Sequence, residues 1–301
     1  MIYTVTFNPA LDYVAKVDTL NMGGTNRSSD EYVLAGGKGL NVSAVLNNLG
    51  VENIAYGFIA GFTGKEIKRI VTENGCKSDF IELKSGMSRI NVKLKSDNET
   101  EINGSGPVIS EDELNELMKR FDKLSDKDIL VLAGSIPTSL PDTVYMDILS
   151  RLDKGVTVVA DATGKLLLNV LSYKPFLVKP NDYELGDLFG VNIAGDKNAV
   201  KKYALELRKM GARNVLVSMA QDGAVLVTEH GEVLEREAPS GNVKNSVGAG
   251  DSMIAGFLTG WIKTGDYVEA FRMGVAAGSA SAFSDFLATG EQIHDVYNKL
   301  K

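Results

Sequence analysis

Short, continuously apolar runs alternate along this chain with longer stretches whose apolar residues recur every three or four positions, and that alternation limits the fold more than any other feature. The runs at 54–59, 129–132, 156–160, 176–178 and 215–217 have no polar face, as expected of strands buried on both sides. Between them, residues 111–124, 140–152 and 199–210 carry helical spacing. The pattern predicts an α/β fold in three layers, a mostly parallel sheet between two sets of helices. With 301 residues, the chain can bury a large core without a disulfide or structural metal. Two segments, 13–35 and 88–105, break the rhythm with alternating, polar strand patterns such as Arg89-Ile90-Asn91-Val92-Lys93-Leu94-Lys95. They read as a small antiparallel sheet inserted into one domain spanning 1–301, projecting from it as a lid. The exposed edges of such a sheet offer a surface for pairing into a homodimer.

Composition excludes several classes of function. Thirty-two basic against thirty-nine acidic residues give a formal charge of −7, which leaves no general field for nucleic acid or an anionic membrane. No apolar run approaches the roughly 20 residues needed to span a bilayer, and residues 1–7 alternate like a strand, not a signal-peptide core. A single cysteine, Cys76, rules out an internal disulfide and a thiolate zinc site, and the two histidines, His230 and His294, are far apart in sequence. A cytoplasmic protein is the natural expectation.

The glycines are the informative excess. Gly248-Ala249-Gly250-Asp251 directly precedes Met253, Ile254, Phe257, Leu258, Trp261 and Ile262 at helical spacing. Glycines at a helix start expose backbone N–H donors to an anion, and the helix dipole favours negative charge there. Asp251 is then either the helix N-cap or a base facing the same nest. The cluster is neither a Walker loop nor a dinucleotide fingerprint, because Met253 stands where the last glycine would be. A second cluster, Gly36-Gly37-Lys38-Gly39-Leu40-Asn41, also precedes an apolar helical pattern. A third segment, Lys179-Pro180-Asn181-Asp182-Tyr183-Glu184, suits a helix start, with Asn181 and Glu184 placed either to cap it or to hold a hydrated Mg2+.

Taken together and in this order, with Asn8-Pro9-Ala10-Leu11-Asp12 before them and Gly134-Ser135-Ile136-Pro137 among them, these segments resemble the ribokinase-like (phosphofructokinase B) family of sugar kinases over nearly the whole chain. Within it, the stretches 6–12, 89–93 and 99–107 are most similar to the branch of 1-phosphofructokinases and tagatose-6-phosphate kinases. Two positions depart from the family pattern: Ser246 stands where Thr is usual, and Ala220 where Gly is usual.

The resemblance implies a three-layer ribokinase-like fold with a β lid, and ATP-dependent phosphorylation of a ketohexose phosphate. Fructose 1-phosphate is the leading substrate, with tagatose 6-phosphate or fructose 6-phosphate, phosphorylated at the 1-hydroxyl, as alternatives and a non-catalytic sugar-phosphate-binding regulator as a rival of another class. It implies Asp251 as general base and Gly248, Ala249 and Gly250 as the anion hole. Asp12, Gly37 and Asn41 would bind the sugar, and Arg27, Lys38 and Arg89 its phosphate, with Ser135 beside them. Mg2+ would be supported by Asn181 and Glu184 through water, and Ser218, Gly223, Ala276 and Ser279 would line the ATP pocket beside Gly248 and Gly250.

Overall fold

The computed structural model describes residues 1–300 and contains two sheets. The larger has nine strands: β1 (Ile2–Thr6), β4 (Asn53–Ile59), β5 (Lys77–Glu82), β8 (Ile129–Ala133), β9 (Thr157–Asp161), β10 (Leu177–Val178), β11 (Asn214–Ser218), β12 (Ala224–Val227) and β13 (Val233–Arg236). Its spatial order is β13-β12-β11-β10-β9-β8-β1-β4-β5. All neighbours from β5 to β11 run parallel, and the hairpin β12–β13 adds an antiparallel edge.

Period-two alternation splits each central strand between two cores. Leu130 and Leu132 point into one, Val131 and Ala133 into the other; Val215 and Val217 oppose Leu216 in the same way. The first core is closed by α3 (Glu111–Phe121), α4 (Val144–Arg151), α5 (Gly164–Val170), α6 (Asp182–Phe189) and α7 (Lys197–Lys209). The second is closed by α1 (Lys38–Asn48), α8 (Ala249–Thr264), α9 (Tyr267–Ala282) and α10 (Gly290–Lys299). These are the three layers expected of strands buried on both faces.

The second sheet consists of β2 (Ala10–Lys16), β3 (Asp30–Gly36), β6 (Arg89–Lys95) and β7 (Thr100–Asn103), in the order β3-β2-β6-β7. It is not purely antiparallel as the alternation suggested. β2 and β6 are parallel, because the chain returns to the main body through α1, β4, α2 (Gly61–Glu73) and β5 between β3 and β6, and so re-enters the sheet from the same end. Leu11, on the face of β2 turned toward the body, packs with Leu40, Ile67, Val71 and Phe80, which seats the sheet on α1 and α2.

The direction of strand addition reverses at β1: β4 and β5 lie on one side, β8 to β11 on the other. The loops leaving the carboxyl ends of β1 and β8 therefore diverge and open a crevice, the usual ligand position in an open parallel sheet. No helix among the described residues is long and apolar enough to cross a membrane.

Candidate active site

The crevice is a cavity of about 670 Å3 lined from β1 by Thr6 and Asn8, from the loop after β8 by Gly134 and Ser135, and by Asp161 at the end of β9. Gly37, Lys38, Arg89 and Glu184 also line it. Residues far apart in sequence thus converge at the ends of adjacent strands. Buried Thr6 Oγ1 and Asn8 Oδ1 have no hydrogen-bond partner among the described residues, so this wall has acceptors and a donor to offer a hydroxylated ligand.

Arg89 begins β6, and its Nε donates to the Asn8 carbonyl at 3.1 Å, while its terminal nitrogens have no partner among the described residues. Burial pulls its pKa down, with the Asp12 charge opposing. A half-buried guanidinium with free donors suits a phosphate. Lys38 reaches the wholly buried Asp161 at 3.1 Å. Burial works against its charge, but Asp161, Asp251 and Glu184 outweigh that and hold its pKa above the ordinary lysine value. Arg27, in contrast, is exposed in the loop between β2 and β3 and lines neither this cavity nor its neighbour.

Asp251 lies in the first turn of α8, but it does not cap the helix. Gly248 occupies the cap position with φ +79°, a left-handed conformation that glycine adopts without strain, and Asp251 follows three residues later. The carboxylate instead accepts a hydrogen bond from Asn41 Nδ2 on α1 at 2.8 Å. Its pKa is pushed up to about 6, first by burial and then by the Asp161 charge, against the Asn41 hydrogen bond and the charges of Lys179 and Lys38. It is a carboxylate near the balance point for taking a proton at neutral pH. The N–H groups of the first helical turn have no intrahelical acceptor, which is the arrangement that suits an anion.

Asp12 sits on β2, where Asn91 donates to one oxygen at 2.8 Å and Lys93 pairs with the other at 3.1 Å. It opens onto a second cavity of about 480 Å3, shared with Asn41 and Val247 and running between the small sheet and the body. Tyr32 on β3 crosses that gap to meet Phe286 edge-on, with ring centroids 5.4 Å apart. The next residue, Leu287, packs against Gly248, where a Cβ would come within 2.6 Å of its Cδ2.

The remaining predicted positions are spread more widely. Asn181 and Glu184 form a reciprocal capping box on α6, at 2.7 and 2.8 Å. That occupies Asn181 Oδ1 and one Glu184 oxygen, leaving the other Glu184 oxygen to a cation. No group of three or more acidic, histidine or cysteine residues suits a directly bound metal among the described residues. An Mg2+ that keeps most of its water and relies on substrate phosphates asks for no more than Glu184 supplies, so the residues fit one. Ser218 ends β11. Gly223 is committed to the β12 hairpin, since a Cβ there would lie 2.0 Å from the Arg236 carbonyl. Ala276 is fully buried on α9 and Ser279 partly exposed on the same helix; neither lines the two cavities.

Asp161 and the Lys179 ammonium were not singled out by sequence reasoning. The available signal for Asp161 was an acidic residue closing an apolar strand, and for Lys179 a cation directly after the apolar run 176–178.

A hydroxyl acceptor needs a base, the moving phosphoryl group needs an anion hole, and a second phosphate needs fixed cations. The fold and site together define a kinase acting on a small phosphorylated, hydroxylated substrate. The chain belongs to the pfkB family of carbohydrate kinases, whose model matches residues 6–288. It is 47% identical over 302 residues to a 1-phosphofructokinase of Bacillus subtilis (strain 168), covering 100% of this chain and 99% of that protein. A D-tagatose-1-phosphate kinase of Bacillus licheniformis is 36% identical, again over 100% of this chain and 99% of the relative. Among solved structures, phosphofructokinase-2 from Escherichia coli in complex with substrates and products superposes with a TM-score of 0.93 at 27% identity, covering 99% of both chains.

Proposed function

We propose that this kinase transfers the γ-phosphoryl group of Mg-ATP to the 6-hydroxyl of fructose 1-phosphate, giving fructose 1,6-bisphosphate. The observation that carries the reading is Asp251: a buried carboxylate held by Asn41 in the first turn of a glycine-led helix, its pKa raised to about 6. In this reading Arg89 and Ser135 hold the phosphate already on the sugar, and Lys38 adds positive charge from beside Asp161. Asp12, fixed by Asn91 and Lys93, accepts hydrogen bonds from sugar hydroxyls, and Gly37 and Asn41 complete that wall. Asp251 takes the proton of the attacking hydroxyl as the phosphoryl group arrives at Gly248–Gly250. Mg2+, supported from Glu184, neutralises charge on the nucleotide phosphates when bound, with the nucleotide lying toward Ser218 and Ser279.

The small sheet acts as a lid in this scheme. It carries Asp12 and Arg89 on adjacent strands and touches the nucleotide side of the body through Tyr32 and Phe286. Its outer strands β3 and β7 leave edges through which two copies would pair.

A second reading, tagatose 1-phosphate as substrate, is favoured by the 36% identical relative. Both relatives are named for a ketohexose 1-phosphate or its kinase, which favours an existing phosphate on C1 over tagatose 6-phosphate or fructose 6-phosphate. ATP consumption against all four sugar phosphates tests this: the largest kcat/KM is expected for fructose 1-phosphate, and a preference for either 6-phosphate would reverse the orientation of the sugar.

A further inference from the structure

One aromatic side chain joins the two lips of the crevice from within the core. Tyr145, on α4, is wholly buried, and its ring packs on Phe7 with centroids 5.7 Å apart. Phe7 lies between Thr6 and Asn8, which line the cavity from one lip. The Tyr145 hydroxyl donates to the carbonyl of Gly134, on the other lip, at 3.1 Å. We propose that Tyr145 is a positioning residue: by holding the Gly134 carbonyl toward the core, it turns the Ser135 N–H into the cavity, toward the phosphate already on the sugar. The proposal rests on the kinase reading and deepens it, adding a backbone donor whose direction is set by a residue that never touches the substrate.

Gly134 directly follows β8, where the chain leaves the sheet. Its φ of +94° lies in the left-handed region, which glycine enters without strain. Its N–H donates to the Asp161 carbonyl at 3.2 Å, which extends the pairing of β8 with β9 by one residue. Tyr145 takes its carbonyl, so both backbone polar groups of Gly134 are held.

That double hold fixes the next peptide group. No peptide bond among the described residues is cis, and in a trans peptide the C=O and N–H point to opposite sides. With the Gly134 carbonyl drawn toward α4, the Ser135 N–H points away from the core. Neither this N–H nor the Ser135 hydroxyl has a partner among the described residues, and Ser135 is exposed where it lines the cavity. Arg89 lines the same cavity, so a phosphate there meets a charge and an oriented backbone dipole together.

A buried phenol must find an acceptor, and many such bonds do no more than satisfy it. Here the acceptor belongs to a cavity-lining peptide with an N–H to offer. Without the hydroxyl, the freedom of glycine lets that peptide turn over, and a carbonyl then faces the anion in place of a donor.

Tyr145→Phe removes the hydroxyl and keeps the ring on Phe7. Fructose 1-phosphate should bind about tenfold more weakly by titration calorimetry, the scale of one hydrogen bond to a charged group. KM should rise with it, while kcat stays within about threefold and Mg-ATP affinity within about twofold, as for binding energy shared by ground and transition states. Equal weakening of both ligands, or fructose 1-phosphate affinity within about twofold of wild type in a folded variant, overturns the assignment. Should the variant fail to fold, the wild-type protein carries the test by nuclear magnetic resonance with isotope-labelled serine. The Ser135 amide proton should shift downfield on adding fructose 1-phosphate and not on adding Mg-ATP; an amide indifferent to the sugar phosphate overturns the assignment. Wild-type protein that fails to bind fructose 1-phosphate overturns the substrate reading and this assignment together. Normal wild-type binding that Tyr145→Phe leaves intact overturns this assignment alone.

Discussion

On the body side of the crevice, Asp161 is wholly buried, Asp251 is 5% exposed, and the lysines that balance them come from α1 and the end of β10. On the small sheet, Asp12 is also largely buried, but its partner Lys93 continues to Glu101, whose side chain is 46% exposed at the sheet's edge. The body network is anchored on paired parallel strands and two core helices. The sheet network belongs to four strands resting on the body through one apolar cluster. In the proposed reading, the charges used for the chemistry lie in the buried body, and sugar recognition lies on the smaller sheet seated against it. The largest effects on turnover should therefore come from body substitutions, and the largest effects on sugar affinity from the sheet.

Asp251→Asn should show the strongest effect: a loss on the order of 100-fold or more in kcat, because the amide cannot accept the proton. Since Asp251 does not cap α8, and Asn can still accept from Asn41, the melting temperature should hold. A normal kcat in a folded variant would remove Asp251 as the base.

Arg89→Ala tests the sheet side. Losing a charge-assisted contact to the sugar phosphate should cost about 1.5–3 kcal/mol of sugar-phosphate affinity while Mg-ATP affinity stays unchanged. Equal losses for both ligands, measured by titration calorimetry, would make Arg89 structural and remove the contrast.

The pH profile separates the regions more finely. Asp251 must be ionised to accept a proton, so kcat should fall as pH drops through about 6. Asp161→Asn removes a charge that raises this value, and should move the acid limb to lower pH; Lys93→Met, on the sheet, should leave it in place. Stability has the opposite sign. The folded pKa lies above the unfolded 3.8, so the contribution from the bound proton is full below about 4 and is lost as pH rises through about 6. Denaturant titrations at pH 4.5 and 7.5 should show this component disappear in Asp251→Asn.

The smallest effect is expected outside both networks. Ala220 has φ +47°, a left-handed conformation that costs a residue with a Cβ about 1 kcal/mol or more. Ala220→Gly should raise stability by about 0.5–1 kcal/mol after the added freedom of the unfolded chain is counted, with kcat unchanged. A drop in melting temperature would mean that the Ala220 methyl contributes packing that outweighs the strain.

Much of this was legible before the structure. Apolar runs without a polar face gave the buried parallel strands, and glycines ahead of amphipathic patterns marked α1 and α8, because both signals are local. The pairing of β2 with β6 was not legible: parallel neighbours are brought together by a long excursion through the body, and no residue in either strand encodes direction. Asp161 stayed hidden because its meaning depends on lysines contributed by a helix and a strand elsewhere in the chain. Asn181 and Glu184 show the reverse case, in which a local signal was sufficient for the capping box it describes. Arg27, read as a phosphate ligand, lies exposed in its loop and contributes nothing to the cavity of this single chain.

The hydrogen bond from Asn41 to Asp251 joins residues 210 positions apart. A ribosome adding about 5–20 residues per second makes Asn41 some 10–40 s before the carboxylate it will hold. The strands that carry Asp12 and Arg89, and the first glycine turn, are thus translated well ahead of the residue proposed as the base. A nascent chain halted before residue 251 lacks the carboxylate proposed here as the base, so phosphoryl transfer that depends on it cannot begin until that segment is made.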